Sequence, residues 1–108
     1  MRIKITGLQF SDWDKAKETI GKGNSVQMFK EENKYGTDGL AWKAVYAGNK
    51  FGYMPELDTP RGVRNWQNPC KDTIRSIELV REKKPDMFQM FVEEVGPNWI
   101  VLNSKRGC

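Results

Sequence analysis

No histidine occurs among the 108 residues of this chain, and its two cysteines, Cys70 and Cys108, stand far apart. That inventory removes most catalytic chemistry. A zinc centre would have to combine two distant thiols with carboxylates, a poor donor set. A serine or cysteine nucleophile would lack its usual imidazole base. Gly21-Lys22-Gly23 lacks the spacing of a phosphate-cradling P-loop. Carboxylate-only metal chemistry survives, with Glu31, Glu32 and Asp38 as its nearest cluster, and such clusters are usually solvated turns. Binding without catalysis, cofactor or metal is the expectation. No apolar run reaches the eighteen or so residues of a membrane span, and the start shows no signal-peptide pattern. A reduced, cytoplasmic protein is expected.

Charge is also modest. Eighteen basic residues against fourteen acidic ones leave a net +4, which by itself only slightly favours a nucleic-acid partner. Each half holds nine basic residues, but residues 1–54 carry six acids and residues 55–108 carry eight. The excess therefore lies with the segment richest in rings. Phe29, Tyr35, Trp42, Tyr46, Phe51 and Tyr53 are half of the twelve aromatics, and Lys30, Lys34, Lys43 and Lys50 are interleaved among them. Rings beside cations suit single-stranded nucleic acid, because every base has a π-face and every phosphate a charge.

The length fits one domain, spanning residues 1–108. Arg2 to Phe10 alternates as a strand with a bulge at Gly7. Ser11 to Asp14 resembles a helix N-cap, and Trp13, Ala16 and Ile20 follow at helical spacing. Ser25–Glu32 and Leu40–Tyr46 alternate as strands, and Lys50–Met54 returns across Ala47-Gly48-Asn49, where glycine and asparagine tolerate positive φ. Thr59-Pro60 opens a short helix carrying Val63 and Trp66. Thr73–Lys83 is ambiguous: Ile74/Ile77 suits a helix and Ile77/Leu79 a strand. Met87–Val95 and Trp99–Asn103 complete five or six short strands, a count that favours a mainly β barrel or sandwich with one or two small helices. Trp42, Tyr46 and Phe51 are expected in the core, and Trp99 is expected to close the barrel.

The order Ile5-Thr6-Gly7-Leu8-Gln9-Phe10, Glu31 with Asn33-Lys34-Tyr35 and Asp38-Gly39-Leu40-Ala41, and Lys50-Phe51-Gly52-Tyr53-Met54-Pro55 resembles the HIRAN domain over roughly residues 3–55. The resemblance implies a small OB-like barrel of about six strands that binds single-stranded DNA and captures free 3′-hydroxyl ends in repair or at replication forks. It looks like the stand-alone bacterial or phage type, with a helicase or nuclease as a further expected partner. The pattern beyond Pro55 tips Thr73–Lys83 toward strand. By the same resemblance Tyr35 stacks on the terminal base, Asp38 accepts from the 3′-hydroxyl, and Asn33 shapes the turn. Phe10 closes the first strand, and Tyr53 lies near the terminal phosphate. Lys34 stands in the place of the family's proline, and Gln9 where an arginine can contact phosphate. With Lys30 and Lys50 these residues form the expected DNA-binding set. The alternative is a protein-interaction or inhibitor module on the same fold.

Overall fold

The computed structural model describes residues 1–8, 11–34, 36–59, 62–66 and 71–104. Six strands occur in chain order, β1 (Arg2–Lys4), β2 (Ser25–Glu32), β3 (Leu40–Tyr46), β4 (Asn49–Tyr53), β5 (Met87–Val95) and β6 (Ile100–Asn103). They form one sheet in the order β1-β6-β5-β2-β3-β4, with every neighbouring pair antiparallel. Helix α1 (Trp13–Ala16) precedes β2 and helix α2 (Lys71–Lys83) precedes β5. The architecture is mainly β, as expected.

The sheet is not closed. Among the described residues its two edges meet at a single isolated pair, where Thr6 donates to the Tyr53 carbonyl at 3.0 Å and Tyr53 donates to the Thr6 carbonyl at 2.9 Å. The first strand accordingly ends at Lys4 rather than running on to the bulge expected at Gly7, where the chain turns at φ 76°. Gly52 is required at this crossing, because a Cβ there would run into Ile5 and the Thr6 carbonyl. The Arg2 backbone is covered instead by α2, whose Thr73 hydroxyl accepts from Arg2 N–H at 2.9 Å and donates to its carbonyl at 2.6 Å.

Thr73–Lys83 is helical, which corrects the strand expected there. A strand pairing Ile77 with Leu79 on one buried face is incompatible with the burial found, since Ile77 is fully buried while Leu79 is 40% exposed. Thr73 and Ile77 are buried, with Ile74 and Val80 packed against the core, at the three-and-four spacing of a helix. Asp72 in the first turn and Arg81 and Lys83 in the last complement the helix dipole.

Smaller departures have similar local causes. Trp13, Ala16 and Ile20 are all buried, yet the regular helix stops at Ala16 and Asp12 makes no side-chain cap. The β3–β4 turn places positive φ on Ala47 (50°) and Gly48 (78°), so Asn49 already belongs to β4. Residues 63–65 form a 3₁₀ turn rather than a longer helix. Trp99 is half-buried and packs over the β5–β6 turn, where a Cβ on Gly96 would strike its ring. Trp42 and Phe51 are fully buried, and Tyr46 packs against the core.

Register fixes which side chains share a face, because successive residues of a strand point to opposite sides. Val26 and Met28 of β2, Trp42 and Ala44 of β3, and Met90 and Val92 of β5 are buried on the inward face together with Ile77 of α2. Gln27, Phe29 and Glu31, then Lys43 and Val45, then Met87, Gln89 and Phe91 occupy the outward face. No described helix is long and apolar enough to cross a membrane.

Candidate nucleic-acid interface

The outward face is where cations and rings meet. Tyr53 stands opposite Lys43, and Lys43 stands opposite Phe29. The Lys50 ammonium lies 5.2 Å from the centre of the Tyr53 ring and donates to its hydroxyl at 2.9 Å. This hydrogen bond, with the nearby Glu31 and Asp12 carboxylates, raises the Lys50 pKa against partial burial, which would lower it. The ammonium is therefore firmly charged. Because Lys50 donates into the phenol oxygen, the phenol proton and two ammonium protons remain for an incoming acceptor. Phe29 is half-buried, while Phe91 and Met87 are 41% and 48% exposed. Glu31 adds an enclosed carboxylate oxygen, Oε2, that has no hydrogen-bond partner among the described residues.

The residues expected from the sequence separate into groups. Lys50 and Tyr53 come together on the outward face. Lys30 pairs across the sheet with Trp42 on the inward face, where its ammonium meets Asp86 at 2.9 Å and the Lys84 carbonyl at 3.2 Å. Asn33, Lys34 and Asp38 belong to the β2–β3 loop, closed by Asn33 N–H to the Gly39 carbonyl at 2.8 Å and Gly36 N–H to the Asn33 carbonyl at 3.0 Å. Asp38 sits at its exposed tip with φ 56°, and no hydrogen bond or ion pair of its carboxylate occurs among the described residues. Leu40, where β3 begins, is three residues from Lys43, so the loop lies about 10 Å along the strand from the Tyr53 row. Gln9, Phe10 and Tyr35 lie outside the described residues, as do Cys70 and Cys108.

Phe91 and Met87 complete the face although no motif marked them. Their signal was parity, since both alternate with the core residues Phe88, Met90 and Val92. Arg81 is the other residue without a motif. Its guanidinium lies 5.1 Å from the Trp42 ring, bonds Glu56, and donates to the Leu40 carbonyl at 2.8 Å and the Thr37 carbonyl at 3.4 Å. The Thr37 hydroxyl also bonds Glu56. The β2–β3 loop is thereby tied to α2.

A cleft of about 450 Å³ opens beside this tie, between Thr37, residues 56–59, Glu78 and Arg81. Its cations are already neutralised, Arg81 by Glu56, and nearby Arg64 by Asp58 at 2.8 Å and Glu78 at 3.3 Å. A phosphate would have to displace ion-paired carboxylates there, whereas on the outward face Lys50 hydrogen-bonds the Tyr53 hydroxyl, with the Glu31 and Asp12 carboxylates as more distant neighbours. No group of three metal-ligating side chains converges among the described residues; Glu31 and Glu32, adjacent on β2, point to opposite faces. Comparison of the chain with protein-family models, with curated proteins and with solved structures finds no match.

Proposed function

We propose that this domain binds single-stranded DNA on the outward face of its sheet and receives a free 3′-hydroxyl end at the β2–β3 loop, in a repair or replication-fork setting. The observation that carries the reading is the Lys50–Tyr53 pair, which leaves charged donors available on a face that also displays Phe29, Lys43 and Phe91. Ring-and-cation surfaces hold single strands with little sequence preference. The HIRAN resemblance supports the end-reading half of the proposal, with Tyr35 and Asp38 in the loop. The Thr6–Tyr53 pair supports an OB-like curvature that brings the two sheet edges together. The domain acts by binding alone, with a helicase or nuclease as its working partner.

The test is a titration with labelled oligonucleotides ending in 3′-hydroxyl, in 3′-phosphate, or with a blocked 5′ end. A 3′-phosphate is rejected if Asp38 meets the end, since like charges at short range repel, and Asp38→Asn relaxes the rejection. Equal binding of the two 3′ ends defeats end recognition. Magnesium-dependent cleavage lost on Asp38→Ala or Glu31→Ala defeats the non-catalytic reading. A protein partner is the second reading, favoured by the exposure of Met87 and Phe91. Salt separates the two, because each neutralised phosphate on a single strand contributes a slope of about −0.7 in log affinity against log salt.

A further inference from the structure

Four outward side chains stand directly opposite one another across four strands. Met87 on β5 faces Phe29 on β2, Phe29 faces Lys43 on β3, and Lys43 faces Tyr53 on β4. Adjacent strands are about 5 Å apart, so Phe29 to Tyr53 spans about 10 Å and Met87 to Tyr53 about 15 Å. Resting on the single-strand reading above, we propose that this row is the track of the bound strand, which crosses the β-strands at right angles and has a footprint of about three to four nucleotides.

The chemistry of the row follows its register. Phe29 is held on one side by the sheet and offers its other side to a base, with the polarizable Met87 thioether as its neighbour. Lys43 stands between this ring and Tyr53, where it meets the phosphate that follows the stacked base. Lys50 and the Tyr53 hydroxyl supply donors to the next phosphate. The adjacent row of Gln89, Gln27, Val45 and Lys50 holds no ring, so Phe91, opposite Ser25 in the row beyond it, is separated from the line of Phe29 and Tyr53. Two phosphates neutralised on that line correspond to a salt slope of about −1.4, shallow for a nucleic-acid site.

The experiment is a length series of oligothymidylates from two to twelve nucleotides against the full chain, repeated at several salt concentrations. Affinity rises to three or four nucleotides and thereafter grows only with the number of available registers. Phe29→Ala lowers affinity about 5- to 150-fold and Phe29→Trp restores it, with a thermal melt confirming that each variant is folded. Lys43→Gln, a change at a half-exposed position, flattens the slope by about 0.7. Affinity that climbs steeply to eight or twelve nucleotides, or Phe29→Ala binding like the unmutated chain, overturns the row while leaving single-strand binding intact. If no oligonucleotide binds the unmutated chain, the underlying reading is overturned and the row with it.

Discussion

Lys30 and Lys50 look alike in the sequence, each beside an aromatic residue in a strand, and the fold treats them in opposite ways. Lys30 points to the inward side, where its charge is matched by Asp86 and the Lys84 carbonyl. Lys50 lies on the outward side, where among the described residues its ammonium donates to the Tyr53 hydroxyl and forms no ion pair. The two faces of β2 and β3 differ in the same sense. Inward aromatics are enclosed, with Trp42 fully buried and its indole N–H bonded to the Pro85 carbonyl at 2.9 Å. Outward ones such as Phe91 are left where folding gains little from them. Side chains that stability does not need are the ones available for recognition.

Breaking the inward face should give the largest effect. Trp42→Ala removes a fully buried ring that also carries the Arg81 contact, and is expected to cost about 3–5 kcal/mol of unfolding free energy in urea titration. Phe91→Ser, by contrast, should stay within about 0.5–1 kcal/mol. Comparable losses at the two positions would erase the distinction between the faces. Arg81→Met comes next. It strips a donor from Glu56 and from the Thr37 and Leu40 carbonyls, in a pair whose Arg81 and Glu56 side chains are only 15% and 18% exposed, and should cost about 1–3 kcal/mol. Adding Glu56→Gln should recover part of the loss.

The lysine pair sharpens the comparison at smaller scale. Lys50→Gln should weaken single-strand binding and flatten its salt slope by about 0.7, measured by anisotropy at graded salt. Lys30→Gln should leave the slope unchanged and shift stability by less than about 1 kcal/mol, because Asp86 is almost wholly exposed. Equal slopes for the two variants would show that the faces are not functionally distinct.

Much of this organisation was legible in the sequence and some was not, for identifiable reasons. The bounds of β2, β3 and β5 follow from the alternation of side chains between two faces. For α2, Ile77 fits either period, and only the exposure of Leu79 and the burial of Thr73 decide between them. The resemblance, carried by motifs only over residues 3–55, tips the segment toward strand through a looser pattern beyond Pro55, and the helix overturns it. At the candidate site, Lys50 and Tyr53 lie three residues apart within β4, so a local motif could unite them. The partnership of Phe29 and Lys43 with Met87 depends on long-range register, which no local pattern encodes. Lys30 and Lys50 differ by face, and their common setting among aromatics hides this.

The smallest expected effect concerns acid. Arg2 hydrogen-bonds Glu93 and, with help from Asn103, holds its carboxyl below the ordinary value of 4.5. A carboxylate whose pKa is lowered by folding stabilises the native state above its unfolded value, and that contribution disappears as pH falls through the lower folded one. The partly exposed pair should therefore contribute less than about 1 kcal/mol, lost below pH 4.5. Arg2→Gln should remove that part of the acid sensitivity of the melting temperature.

The Thr6–Tyr53 pair joins two edges by two backbone hydrogen bonds and one from the Thr6 hydroxyl, with no ladder on either side among the described residues, so it can open without unravelling β1 or β4. Its amides should consequently exchange with solvent deuterium sooner than those in the middle of β2. Tyr53 carries both the bridging backbone and the hydroxyl that accepts from Lys50, so a strand held by this side chain would also hold the bridge shut. If opening releases the strand, ligand at a hundred times its dissociation constant slows exchange at Thr6 about a hundredfold. A backbone amide that touches no nucleotide would then report, in time rather than in space, whether the outward face is occupied.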